Sequence, residues 1–322
     1  MVMLDEATIA HLEGLGRVRW AEDSNSLSAE AAEAMLDGAH VCLTGWGTPA
    51  FDATVLERHR DLGLIAHTAG SIRHLIPAKL FDDGVRVSHA ASAIACSVAE
   101  FVVAEALLAL RGIHRMDASL RGNGHWLDVR ATVPQRLLGA RTVGIVGAGN
   151  VGRAVMRLLL PFGCRVLACD PFLDDPEAAA LGVSRVDLDT LLVESDIVSL
   201  HVPDLPATHG MIGARELARL RDGALFINTA RGGLVDEPAL VTELQSGRIQ
   251  AALDVFAVEP LPVASPLRDP AFSNVTISPH AAGHTDDSHF KQGREMVEEI
   301  ERFLIGDPLR HEISRSMLET MA

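Results

Sequence analysis

From residue 142 to residue 278 the chain settles into a regular alternation. Short apolar runs at 142–146, 165–169, 197–201, 224–228, 249–254 and 275–278 are separated by amphipathic stretches at 151–160, 188–194, 214–220 and 237–246. A run that is apolar at successive positions fits a strand covered on both faces, and an apolar spacing of three and four residues fits a helix. Strands and helices alternating in this way predict a parallel, doubly wound sheet with helices on both sides. Upstream, apolar runs at 40–44, 63–67 and 85–88 lie among amphipathic segments at 29–36 and 54–60, which predicts a smaller α/β unit. Residues 97–115 are apolar on most faces and read as one long buried helix, followed by the loop signal Arg121-Gly-Asn-Gly124. A final helix is expected at about 290–303. The helix expected at 6–12 has no clear strand before it, so one edge of the smaller sheet is left without a visible closure.

Composition narrows the picture. A chain of 322 residues is too long for one ordinary core, and 48% hydrophobic with 22% charged residues is a globular balance. With 28 basic and 43 acidic residues the net charge is -15, which repels phosphate backbones and anionic membranes. Neither nucleic acid nor membrane is therefore expected as a partner, and any anion must be met locally by arginine or backbone N–H groups. The four cysteines are scattered without metal-ligand spacing, so no metal site is expected and a reducing, cytoplasmic setting is. The acidic N-terminal stretch does not read as a secretory signal, and the best apolar stretch, 101–110, is interrupted by Glu105.

Gly147-Ala-Gly149-Asn150-Val151-Gly152 is a G-x-G-x-x-G turn that follows one predicted strand and opens one predicted helix. Gly147 permits the turn, Gly149 lets backbone approach a pyrophosphate, and Gly152 lets helix pack on strand. Asp170 ends the next strand, where a carboxylate receives the adenosine ribose hydroxyls. Pro171 and Phe172 follow it without a cation, so a 2′-phosphate would meet bare negative charge and NAD is expected over NADP.

Arg231, Glu259 and His280 each lie just past the end of a late strand, the edge at which open α/β sheets bind ligands. The three residue types suit a 2-keto acid: a guanidinium fork for carboxylate and carbonyl, an imidazole to move a proton, and a carboxylate to orient the ring. Spacing alone leaves plainer roles open, a solvated loop histidine and a surface ion pair among them.

The segments Asn228-Thr-Ala-Arg-Gly-Gly-Leu-Val-Asp-Glu, Ala252-Leu-Asp-Val-Phe and Ser278-Pro-His-Ala-Ala-Gly resemble the signatures of the D-isomer-specific 2-hydroxyacid dehydrogenase family. His201-Val-Pro, Ala207-Thr-His-Gly and Ser97-Val-Ala-Glu match it too, so the resemblance covers nearly the whole chain. It implies a Rossmann domain at 94–285 inserted into a flavodoxin-like substrate domain built from 1–93 and 286–322. It implies that Arg231 binds and polarises the substrate, that His280 is the acid/base, and that Glu259 orients His280. It implies NAD contacts at Asn150, Val151, Asp170, His201, Thr208, Ala230, Asp254 and Gly283, and a homodimer formed through the nucleotide-binding domain. Backbone groups of Ala69, Gly70 and Ser71 would cap the substrate carboxylate. In that loop the family's usual acid is replaced by Ile72, with Arg73 beside it, which weakens any choice among particular 2-hydroxy acids. An alternative on the same fold is an NAD(H)-sensing interaction protein of the corepressor kind.

Overall fold

A computed structural model describes residues 3–21, 27–270 and 272–321. The chain divides into two compact units, one of residues 1–95 and 284–322 and the other of 96–283.

The larger unit carries a seven-stranded sheet. Its strands are β4 (Thr142–Val146), β5 (Arg165–Cys169), β6 (Ser184–Arg185), β7 (Ile197–Leu200), β8 (Leu225–Asn228), β9 (Gln250–Leu253) and β10 (Val275–Ile277), counted after three strands of the smaller unit. The order is β10-β9-β8-β7-β4-β5-β6, and every pairing is parallel. The chain therefore reverses its winding between β4 and β7, the switch point at which such sheets open a crevice. β7 and β8 are buried at all four positions, with Phe226 at the centre of the apolar core, which is why these runs show no polar alternation. Asp187 and Asp236 cap the helices Leu188–Glu194 and Glu237–Gln245 through the N–H groups of Thr190 and Ala239.

The smaller unit holds a parallel sheet in the order β1 (Val41–Thr44), β2 (Leu64–His67), β3 (Arg86–His89). The C-terminal helix Asp286–Ile305 packs on β2, β3 and the helix Glu6–Leu15. It approaches residue 3 so closely that a Cβ on Gly293 would lie 2.0 Å from the Met3 carbonyl oxygen. The outer edge of β3 is covered by the C-terminal segment, where the Ile313 N–H donates to Val87 at 2.8 Å and Arg86 grips Glu312 with two bonds of 2.8 Å. Buried Glu299 accepts from Ser88 and from the N–H groups of Arg310 and His311, all at 2.9 Å, which fastens that segment.

Two expectations change. The long helix runs Ala91–Arg111 and not 97–115, because Gly112 turns left-handed (φ 60°) and a second helix, Ile113–Arg121, follows. By length and composition its 21 residues could cross a membrane despite Glu105, although half of its apolar window is buried within the protein. The last helix also begins earlier than 290, at Asp286, behind Thr285, whose hydroxyl caps the Ser288 N–H.

The smaller unit also stores an acid sensitivity. Burial, reinforced by neighbouring His89, pushes the His67 imidazole down to about 4, and burial lowers His89 as well. Unfolded, both take up a proton near pH 6.5, so below that pH the unfolded chain binds more protons than the folded one and stability falls as pH falls. For His67 the loss between pH 7 and pH 5 is about 2 kcal/mol. Urea unfolding at the two pH values is expected to show a smaller loss in His67→Gln than in the parent; an equal loss would mean the imidazole is not held neutral.

Candidate functional site

The turn after β4 is shaped by steric demand at two of its glycines. Gly147 has φ 101°, and a Cβ there would sit 2.6 Å from the His201 carbonyl oxygen. A Cβ on Gly152 would sit 2.0 Å from the Gly147 carbonyl oxygen. Gly149, between them, faces open space with nothing within 4 Å. It caps the helix Asn150–Leu159 without a side-chain hydrogen bond, so among the described residues the first N–H groups of that helix, including those of Asn150 and Val151, are left without an acceptor. Asp170 stands opposite, its Oδ2 accepting from Ala148 N at 2.6 Å and its Oδ1 from Phe172 N at 2.7 Å. An open cradle of N–H groups with a carboxylate beside it matches the donor set a dinucleotide requires.

Other expected cofactor residues line the ends of β7 to β10. His201 follows β7, with Nε2 2.9 Å from the Ser199 hydroxyl. It keeps some exposed surface, yet the packing around its ring pushes it down to about 3, so it is a neutral imidazole. Thr208 spends its hydroxyl within its own loop, donating to Pro203 O at 2.5 Å and accepting from Leu205 N at 2.9 Å.

Arg231, Glu259 and His280 all belong to the larger unit. Buried Asn228 builds the turn that carries Arg231, accepting from Ala230 N at 3.0 Å and donating to Arg231 O at 2.9 Å. A Cβ on Gly232 would lie 1.9 Å from Phe256 O, so this turn is pressed against the loop that leads to Glu259. Burial pulls the Arg231 guanidinium below its ordinary range, opposed by the charges of Glu259 and Asp204. One guanidinium nitrogen donates to Ala230 O at 2.6 Å. Glu259 accepts from Phe256 N at 3.0 Å through Oε1, and its Oε2 lies 2.7 Å from Nδ1 of His280. With Nδ1 facing a carboxylate, Nε2 is the nitrogen left to exchange a proton.

His280 adopts a left-handed backbone, φ 53°, which is uncommon outside glycine and marks a position the surroundings enforce. The enforcing residue is Asp254, buried to 1% exposure. Its backbone oxygen accepts from His280 N at 2.9 Å. Its carboxylate accepts from Ser278 Oγ at 2.5 Å, Ala281 N at 2.8 Å and Ala282 N at 2.9 Å. In the sequence Asp254 is marked only by the family resemblance, and nothing marks Asn228 beyond its local spacing. The Asn-x-Ala spacing was the one available signal for the latter, since Asn side chains commonly bond their own backbone two residues on.

In the smaller unit, Ala69, Gly70 and Ser71 follow β2. Among the described residues none of their three N–H groups has an acceptor, whereas the carbonyls of Ala69 and Ser71 are both bonded. Arg73 is exposed.

A family model of the D-isomer specific 2-hydroxyacid dehydrogenase NAD binding domain matches residues 103–282. A hydroxypyruvate reductase of Thermotoga maritima is 37% identical over 249 residues, 77% of this chain and 79% of that protein. A D-3-phosphoglycerate dehydrogenase of Mycobacterium tuberculosis is 34% identical over 94% of this chain, which spans 56% of that relative's length. A crystal structure of a D-lactate dehydrogenase from Treponema pallidum superposes with a TM-score of 0.76 at 26% identity, covering 97% of this chain and 98% of its own.

Proposed function

The chain belongs to the D-isomer-specific 2-hydroxyacid dehydrogenase family and is an NAD-dependent oxidoreductase, and we propose that it interconverts a small D-2-hydroxy acid and the corresponding 2-keto acid. The observation that carries this reading is the 2.7 Å pairing of His280 Nδ1 with Glu259 on a strained, enforced backbone beside the Arg231 turn. NADH, when bound, supplies a hydride to the C2 carbonyl carbon. Arg231 grips the carboxylate and polarises the carbonyl. His280 delivers a proton from Nε2 to the C2 oxygen, so that keto acid, hydride and proton sum to the hydroxy acid; the reverse direction begins with a neutral ring. Glu259 holds the ring in place through its 2.7 Å contact with Nδ1. The free N–H groups of Ala69, Gly70 and Ser71 suit a carboxylate, and we assign them that ligand.

The cofactor residues are proposed as the Gly147–Gly152 turn with Asn150 and Val151 for the pyrophosphate, and Asp170 for the ribose. His201, Thr208, Ala230, Asp254 and Gly283 complete the site through the loops they shape. Exposed Ile113, Leu120, Trp126, Leu127 and Leu137 of the nucleotide-binding unit support a homodimer formed through it. Four cysteines scattered through the sequence without a pairing or metal-ligand motif suit a reducing, cytoplasmic location.

A panel of glyoxylate, hydroxypyruvate, pyruvate, phenylpyruvate and branched 2-keto acids, followed by NADH absorbance, tests the reading. Turnover of at least one acid is expected, and none with any acid would overturn it. On the best acid, NADH is expected to exceed NADPH in kcat/KM by at least about tenfold, the worth of one uncompensated like-charge contact with Asp170. Equal efficiencies would remove Asp170 from the ribose site.

A further inference from the structure

We propose that His67 is a positioning residue for substrate binding, a strut whose ring holds the Ala69–Gly70–Ser71 loop with its N–H groups turned outward. The inference rests on the reading of that loop as the receiver of the substrate carboxylate.

His67 ends β2 and is 2% exposed. Its Nε2 lies 3.1 Å from the Ser71 carbonyl oxygen and its Nδ1 lies 2.9 Å from the Thr44 hydroxyl. A carbonyl only accepts, so Nε2 carries the hydrogen. Burial keeps the ring neutral at ordinary pH, so Nδ1 is bare and the Thr44 hydroxyl donates to it. Both ring nitrogens are thus committed: the Ser71 carbonyl sets the tautomer, and Thr44 on the neighbouring strand satisfies the other nitrogen.

The effect on the loop follows from peptide geometry. Ala69 O accepts from Ala90 N at 3.2 Å, which fixes the peptide that carries the Gly70 N–H. The His67 bond fixes the peptide between Ser71 and Ile72. The intervening peptide, which carries the Ser71 N–H, is therefore held from both sides. Upstream, the Thr68 N–H and hydroxyl both donate to Thr44 O, at 2.8 and 3.0 Å, so the loop starts from a fixed point. With the Ala69 and Ser71 carbonyls bonded and, among the described residues, its N–H groups free, the loop is organised before any anion arrives. Removing the strut lets the Ser71–Ile72 peptide turn, and the anion must then restore the order itself at a cost in affinity.

Full-length His67→Phe and His67→Gln, assayed on the best acid of the panel, test this. Phe keeps a ring of similar size but cannot donate, whereas Gln places an amide N–H where Nε2 stood. His67→Phe is expected to raise KM for the keto acid about tenfold, the effect of one buried hydrogen bond to a carbonyl. KM for NADH and kcat are expected to stay within about twofold, and His67→Gln to recover most of the loss. Should the Phe variant not fold, His67→Leu, which likewise fills the site without offering a donor to Ser71 O, carries the same comparison and the same expected direction. An unchanged keto-acid KM overturns the proposal, as does a rise matched in the NADH KM or in kcat, which would mean general damage. If Arg231→Lys is also silent, the dehydrogenase site itself is misread; if Arg231→Lys is impaired and His67→Phe is not, only the strut fails.

Discussion

Arg231→Lys is expected to lower kcat/KM for the keto acid by roughly 100- to 1000-fold, while leaving NADH binding unchanged. Two features make so small a change so costly. The backbone at Arg231 is fixed by both arms of the Asn228 side chain and by Gly232 pressed on Phe256, so the chain cannot shift to compensate for a shorter reach. The guanidinium is also planar and can bond two oxygens in parallel, whereas an ammonium offers one compact point of charge. Each charge-assisted bond to substrate lost in the transition state is worth about 1.5–3 kcal/mol. One guanidinium nitrogen donates to Ala230 O at 2.6 Å, which further anchors the side chain to this turn. Steady-state kinetics with NADH fluorescence titration checks the prediction. A lysine variant within threefold of the parent would place Arg231 outside the reacting centre.

Legibility in the sequence followed burial. β4, β5, β7 and β8 were readable almost to the residue because strands inside a parallel sheet are continuous apolar runs. β6 was not, because Ser184 and Arg185 are exposed and carry no apolar signal. The break at Gly112 was hidden by apolar residues on both sides of it, and only the left-handed backbone reveals that the glycine ends one helix. The start of the last helix was missed for the opposite reason. Its first turn, Asp286 and Asp287 behind Thr285, bears capping and acidic signals but no apolar residue, and apolar periodicity alone does not see it. Within the site, the residues proposed to touch reactants are legible as motifs, whereas those that hold them in place are not. Asp254, Asn228 and His67 act through bonds to loops distant in sequence or to backbone, and no spacing rule ties Asp254 to the N–H groups of Ala281 and Ala282.

That support is why removing the acid/base is expected to be cleanly interpretable. His280→Asn is expected to reduce kcat by about 100- to 10,000-fold, the range over which a positioned proton donor acts. Asparagine is the informative choice because residue 280 is left-handed, and a short amide tolerates that conformation where most side chains do not. The Asp254 network that holds the loop uses only the backbone of residue 280, through its N–H to Asp254 O, so it survives the substitution. What disappears is Nε2, the only ring atom left to move a proton once Nδ1 faces Glu259 at 2.7 Å. Glu259→Gln is expected to cost less, since it leaves the imidazole in place and weakens only the contact that orients it. The two variants should therefore rank in that order, with NADH affinity close to the parent in both. A His280→Asn enzyme within threefold of parental kcat would show that the proton comes from elsewhere, whereas a loss of NADH affinity matching the loss of kcat would show that the loop, and not the proton donor, had been removed.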